Sequence, residues 1–232
     1  MMARAVSAVA IVAAAAAAAG SACVYFNAFY NAERQFDAGR RADARGERDA
    51  AREAYRTAIR KAAKALRRDP EGAWADDALY LIGRAHFRLG DDRAAAAALE
   101  RALTLARDSA VRVGANAYLG AARTRLADHR TAVRHLDASL AGWEADPGVA
   151  AFARLWRARA RFGAGRDSAA WSDLMAAAVA TDAADIAVEA KLEWLRRAIS
   201  ADDAGRAVAA AAALLGDPNA RRQADSLLAR VD

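Results

Sequence analysis

Apolar and small residues follow helical spacing most clearly between Trp74 and Leu103, WADDALYLIGRAHFRLGDDRAAAAALERAL. Leu79, Ile82, His86 and Leu89 recur at intervals of three and four, which places them on one helical face. Gly83 and Ala85 are small enough to let a second helix approach closely. After Gly90-Asp91-Asp92 the stripe resumes as Ala95, Ala98, Leu99 and Ala102. Glycine can end a helix in the left-handed conformation, and either aspartate can cap the next one. The pattern therefore predicts two short amphipathic helices joined by a tight turn. Such a pair cannot bury both of its faces alone, so neighbours of the same kind are expected to stack on it.

Those neighbours emerge from one small residue early in each second helix. Ala95, Ala132, Ala170 and Ala207 are separated by 37, 38 and 37 residues. Ala58 lies 37 residues before Ala95, and Ala51 competes with it for the same role in the first copy. Tyr118-Leu119-Gly120 and Leu126 repeat the first-helix pattern, and Asp128 can cap a helix bearing Val133, Leu136 and Leu140. Phe152, Leu155, Trp156 and Phe162 form the next first helix, with Asp167 as the expected cap of a helix carrying Trp171, Leu174 and Met175. Leu192, Leu195 and Ile199 precede Asp202-Asp203, Val208 and Leu214-Leu215.

The stretch around Leu79, Ile82-Gly83, His86, Gly90-Asp91, Ala95, Leu99 and Ala102 resembles a tetratricopeptide repeat, with His86 where that family prefers Tyr. The resemblance implies an all-α fold, an α-α superhelix or TPR-like solenoid of about five helical pairs. Its unit of ~34 residues is shorter than the interval found here. Longer loops such as Ala145-Asp146-Pro147-Gly148 can absorb the difference. His86 is then expected in the core.

Upstream, residues 24–45 read as a first helix, with Phe26, Phe29, Tyr30 and Phe36 near one face. Gly46 to Arg68 reads as a long second helix with Ala51, Tyr55, Ala58, Ile59, Ala62 and Leu66 inward. Asp69-Pro70-Glu71-Gly72 breaks it. Downstream, Asp217-Pro218 opens a closing helix with Leu227, Leu228 and Val231 on one edge. The domain reading is a signal segment at 1–22, a first long helical pair at 23–72, repeats at 73–216 and a closing helix at 217–232.

The signal segment consists of Arg4, a weakly apolar run from Ala5 to Ala19, and Gly20-Ser21-Ala22 before Cys23. A small residue followed by Cys at the end of an apolar stretch resembles a bacterial lipoprotein signal. That resemblance implies acylation of Cys23 and cleavage before it. Gly20 stands where lipoproteins carry an aliphatic residue, so cleavage after Ala22 by an ordinary signal peptidase also fits. The third reading is an uncleaved anchor, because apolar character continues through Val24, Tyr25 and Phe26. On the lipoprotein reading, acylated Cys23 would hold Tyr25 and Phe26 at headgroup level, with Phe29 to Phe36 in the core. Val24 is not the Asp that retains lipoproteins in the inner membrane of enteric bacteria, so the expected location is the periplasmic face of the outer membrane. VYFNAFYNAERQF further resembles the opening of BamD-like tetratricopeptide lipoproteins of the outer-membrane β-barrel assembly machine.

Composition agrees with close-packed helices. Hydrophobic residues make up 56% but aromatics only 7%, because alanine dominates. Cys23 is the one cysteine among 232 residues, which excludes an intrachain disulfide and a Cys-based zinc site. The formal charge is +6, and Lys61, Lys64 and Lys191 are the only lysines. The arginines read as alternating with acids along solvated helix faces rather than as one block, so no nucleic-acid partner is expected.

No catalytic constellation stands out. Gly163-Ala164-Gly165 lacks the strand and the Lys-Ser/Thr of a phosphate cradle. His129 and His135 fall on different sides of a helix, so no metal, cofactor or small-molecule substrate is expected. Asp76-Asp77, Asp91-Asp92 and Asp202-Asp203 are accounted for by helix starts. Trp74, Trp143, Trp156, Trp171 and Trp194 read as packing residues. What remains is a surface. First helices line the concave side of such arrays, and Asp77, Tyr80, Arg84, Phe87, Arg88, Arg125 and Arg159 are its candidates for holding an extended protein segment. The functional expectation is a non-enzymatic, lipid-anchored periplasmic scaffold in outer-membrane protein assembly. Its alternatives are a Tol-Pal-associated, division- or peptidoglycan-linked periplasmic protein, and a structural part of a secretion or gliding apparatus.

Overall fold

The computed structural model describes residues 29–142, 144, 147–218 and 220. Cys23, Tyr25, Phe26, Trp143, Leu227, Leu228 and Val231, each singled out above, lie outside the described residues. Every regular element among the described residues is a helix. Contacts divide the chain into two compact units, Met1–Leu105 and Ala106–Asp232. The first holds α1 (29–44), α2 (Arg48–Arg68), α3 (Ala75–Leu89) and α4 (Asp92–Leu105). The second holds α5 (Ser109–Arg125), α6 (His129–Ala141), α7 (Ala150–Gly163), α8 (Asp167–Ala178), α9 (Ala184–Ser200) and α10 (Ala204–Leu215), with a 3-10 turn at Pro147–Val149 before α7. Among the described residues, consecutive helices form five pairs, as the periodicity predicts.

The repeat is written most sharply in the backbone of the turn inside each pair. Gly46, Ala127, Gly165, Asp202 and Gly90 are the described residues with φ between 52° and 84°. In chain order they fall at 46, 90, 127, 165 and 202, and each lies five residues before an alanine: 51, 95, 132, 170 and 207. At every turn the left-handed residue donates its N–H to the carbonyl three back, and the next residue donates to the carbonyl five back. Gly90 N–H to Phe87 O at 3.2 Å and Asp91 N–H to His86 O at 3.0 Å are one instance. This is the Schellman arrangement, which satisfies carbonyls that a helix end otherwise leaves bare. The alanine then closes the first backbone bond of the second helix, as in Ala95 N–H to Asp91 O at 2.9 Å and Ala132 N–H to Asp128 O at 2.9 Å. The same geometry assigns the role in the first pair to Ala51 rather than Ala58. Glycine is the natural occupant of φ > 0, yet Ala127 and Asp202 hold the same conformation at about 1 kcal/mol of strain.

Within the pairs, missing side chains set the helix separation. A Cβ on Gly83 would stand 2.4 Å from Leu99 Cγ, and a Cβ on Gly120 the same distance from Leu136 Cγ. Both glycines lie twelve residues before their pair's alanine, so one contact is built twice. In the third pair of this series Ala158 takes that position against fully buried Leu174.

In unit 1, Phe29, Phe36, Tyr55, Leu81 and Ile82 gather a core with the alanines of α1 to α3. Tyr55 lies tilted against Phe36 and donates its hydroxyl to Asp43 Oδ2 at 2.6 Å. Burial, then this bond, pushes the Tyr55 pKa above its usual value. In unit 2, Leu155, Ala158, Leu174, Ala177, Ala178 and Ala190 form the core, with Phe162, Trp171, Ile186 and Trp194 packed against it. An ionic knot crosses the α6, α7 and α8 helices. Arg157 forks onto buried Asp173 at 2.8 and 2.5 Å and reaches Asp137 at 2.8 Å, while Arg161 reaches Asp173 at 2.6 Å.

Several expectations are corrected. His86 is not a core residue: it stands in the last turn of α3, partly exposed, with Nδ1 3.4 Å from Asp91 Oδ2. Tyr30 is 49% exposed, because Phe29, Ala32 and Phe36 already fill the inward arc of α1. Asp167 does not cap α8. With Gly165 as the left-handed residue, the cap position falls on Arg166, which makes no capping bond, and Asp167 lies in the first turn. Asp76 and Asp77 do lie in the first turn of α3, as expected of a helix start, with Asp76 buried. Ala207 is only partly covered, unlike Ala95, Ala132 and Ala170.

Candidate functional site

On α3, Asp77, Tyr80, Arg84 and Arg88 recur at intervals of three and four and form one stripe, with the first three half-buried and Arg88 exposed. Phe87 does not belong to it. Because α3 packs against both α2 and α4, its inward arc is wide, and Phe87 falls within it at 3% exposure. The stripe runs beside α1. The Arg84 guanidinium stands 4.4 Å from the Phe36 ring centroid and 5.1 Å from that of Tyr80, a cation held between two ring faces. Glu33 of α1 is close enough to sense it: partial burial and Asp37 raise the Glu33 pKa, against the lowering effect of Arg84.

Unit 2 builds a related arrangement from its own first helices, with α7 packed between α5 and α9. Arg125 of α5 and Arg159 of α7 both stack on Trp156, at 5.1 and 4.6 Å from its centroid. Trp156 continues a run of rings, 6.0 Å from Phe152, which stacks at 4.6 Å on Tyr118. Arg159 also reaches across to α9, 2.8 Å from Glu189 and 3.5 Å from Glu193. Arg197 bonds Glu193 at 2.7 Å and stands 4.0 Å over the Phe162 ring. Burial alone would raise the Glu193 pKa; Arg159, Arg197 and Arg196 outweigh it, and the carboxylate is held below its usual range.

Of the seven sequence candidates, four thus share one stripe of α3, Phe87 lies in the core, and Arg125 and Arg159 meet on a ring of α7. Arg84 and Arg159 occupy the same repeat position, eleven residues before Ala95 and Ala170, and each is clamped to an aromatic face. Sequence reasoning placed Trp156 in packing, where at 8% exposure it does lie, but missed that it seats two arginines. It also missed Glu189, Glu193 and Arg197. A signal existed for Glu193: the position fourteen before the alanine carries Leu81, Tyr118 and Trp156 in earlier pairs and turns acidic in the fifth.

The histidines are engaged separately. His135 Nδ1 lies 2.9 Å from Asn116 Oδ1, and the His129 ring covers Gly163, where a Cβ would stand 2.4 Å from it. Among the described residues, no group of three or more His, Cys, Asp or Glu could hold a metal ion, and no helix is long and apolar enough to cross a membrane.

Paired helices on a common turn, with no strand among the described residues, define an all-α helical-repeat protein of the tetratricopeptide-like kind, a fold that serves generally as a scaffold for protein–protein interaction. Residues 76–109 match the family model of the tetratricopeptide repeat. Solved structures with this architecture include TTC0263, a thermophilic TPR protein of Thermus thermophilus, at 21% identity over 85% of this chain and 99% of that one, TM-score 0.55. MamA from Desulfovibrio magneticus RS-1 aligns at 19% identity over 83% of this chain and 96% of that one, TM-score 0.53. A further crystal structure of MamA aligns at 17% identity, covering 80% and 96%, with TM-score 0.55. At these identities the likeness is one of fold. Among the curated proteins, none matches the chain.

Proposed function

We propose that the protein is a lipid-anchored periplasmic adaptor, tethered through Cys23 to the outer membrane, that holds protein segments during outer-membrane protein assembly. The observation that carries the binding role is the repeated arginine on an aromatic face of a first helix, Arg84 on Phe36 and Tyr80, Arg159 and Arg125 on Trp156. A guanidinium fixed over a ring keeps its charge while losing little further freedom when a partner arrives, which favours an acidic or aromatic segment. Arg88 and Arg125 are exposed and occupy the same repeat position, seven before Ala95 and Ala132, so within its own unit each is the residue that a bound segment meets first. The envelope location is supported by the sequence from Arg4 to Cys23, and the assembly role by the resemblance of residues 24–36 to BamD-like lipoproteins.

Two measurements test this. Intact-mass analysis of the mature protein should show an acylated N-terminal Cys23 that is lost in Cys23→Ser; unmodified protein starting at Cys23 would remove the anchor. Photo-crosslinkers at Arg88 and Arg125 should capture barrel-assembly proteins or their unfolded clients. Capture of Tol components without them would move the adaptor to another envelope process.

A further inference from the structure

The charge of the chain is concentrated on one helix. The α2 segment, RDAAREAYRTAIRKAAKALRR, carries eight basic residues and two acidic ones, a net +6 that equals the formal charge of the whole chain. Outside α2, 27 basic residues face 27 acidic ones. Arg48, Arg52, Arg56, Arg60, Lys64 and Arg68 follow one another at every fourth residue and all are exposed, as is Arg67; Lys61 is half-buried. Four-residue steps advance roughly 40° around the helix, so the row sweeps across the whole solvent side. Its centre, Arg56, Arg60, Lys64 and Arg67, lies opposite the buried row Ala58, Ala62 and Ala65. Among the described residues, Arg60 alone of the eight has an ion-paired carboxylate, Glu53 at 2.9 Å. The expectation that the arginines alternate with acids along every helix is therefore wrong for α2.

A second feature joins it. The α1/α2 pair is antiparallel about Gly46, so the C-terminal half of α2 returns to the end where α1 begins. That end displays two large aromatics, Tyr30 at 49% exposure and Trp74 at 40%, the latter stacked on Phe29 with centroids 6.1 Å apart. Basic residues around half-exposed aromatic rings are the composition of a surface at the level of lipid headgroups. The apolar run from Ala5 to Ala19, earlier in the chain, reads as part of an export signal and directs the protein to the envelope and its bilayers.

We propose that the solvent face of α2, with Tyr30 and Trp74 at its end, docks on an anionic lipid surface and lays unit 1 against the membrane. The choice of a bilayer as partner rests on the envelope placement of the N terminus; acylation of Cys23 is not required. Each cation brought within a Debye length of anionic headgroups adds to binding, and the attraction weakens as salt rises. The other candidate partner for such a row, a single-stranded nucleic acid, would use the same cations, but an N terminus that reads as an export signal leads away from it.

The test is flotation of the mature chain, residues 23–232 produced without an acyl group, with vesicles of phosphatidylethanolamine and phosphatidylglycerol, against vesicles of phosphatidylcholine alone. The neutral vesicles report binding through the exposed rings alone. The variant R52E/R56E/K64E/R67E should lose at least about tenfold in its partition onto the anionic vesicles. A charge-matched variant at exposed positions outside α2, R101E/R130E/R134E/R166E, should lose less than about threefold, and circular dichroism should show both folded. Wild-type binding to anionic vesicles should fall to the phosphatidylcholine level in high salt. Equal losses in the two variants, or no loss in the first, would overturn the proposal. So would α2-dependent retention of single-stranded RNA with indifference to the vesicles. Because the readout is in vitro and independent of Cys23, failure here leaves the mass test of the lipid anchor standing, and the reverse.

Discussion

The two units spend nearly the same arginine-rich composition in opposite ways. In unit 2, arginines reach across helices to carboxylates: Arg157 and Arg161 to Asp173, and Arg159 to Glu189 and Glu193. In unit 1, seven of the eight cations of α2 are exposed, and among the described residues the eight share a single ion pair. The difference is one of burial. Asp173 is nearly sealed from water, so its two guanidiniums act as obligatory partners, whereas a screened surface cation contributes little to folding and remains available to something else. Arginine content alone thus says nothing about function until its counter-charges are located.

The comparison breaks first at Asp173. Asp173→Ala leaves Arg157 and Arg161 partly buried without their main acceptor and should destabilise the protein by about 3–5 kcal/mol, read by denaturant unfolding. A loss under about 1 kcal/mol would mean that the knot is ornamental. A cross-check on packing applies to either unit: Gly83→Ala and Gly120→Ala should each be destabilising by about 1–3 kcal/mol, since the new Cβ meets a leucine branch at 2.4 Å. The pH dependence sharpens the contrast. Glu193 is held below its usual pKa in the folded state, so its stabilisation is complete above the ordinary glutamate range and drains away as pH falls through that range and below. Thermal unfolding between about pH 5 and 3 should show this decline, and Glu193→Gln should flatten it. Ala127→Gly should stabilise by about 1 kcal/mol by relieving the left-handed strain. Smallest of all, Arg56→Glu on α2 should shift stability by no more than about 0.5 kcal/mol.

Much of this architecture was legible in the chain, and for identifiable reasons. The alanines at 95, 132 and 170 were visible because a helix start packed against its partner tolerates little else, and their intervals carried the pairing. The turns were less legible: Gly90 and Gly165 advertise themselves, while Ala127 and Asp202 take the same φ with ordinary residues. Phe87 was misassigned because periodicity gives the centre of a buried arc but not its width, which depends on α3 having neighbours on both flanks. The basic row of α2 escaped for the opposite reason. Over the whole chain, the 27 basic and 27 acidic residues outside α2 cancel in number and hide one helix that is not balanced.

The five identical turns also bear on how such a chain can change length. Inside each pair the stop of one helix, the left-handed residue and the start of the next are locked by two hydrogen bonds at fixed offsets, so these joints have no slack. Between pairs the links run from three residues at 106–108 to eight at 142–149. Insertions, deletions and whole-pair duplications can therefore accumulate only at alternate joints, and the hairpin, rather than the single helix, is the quantum in which this molecule grows.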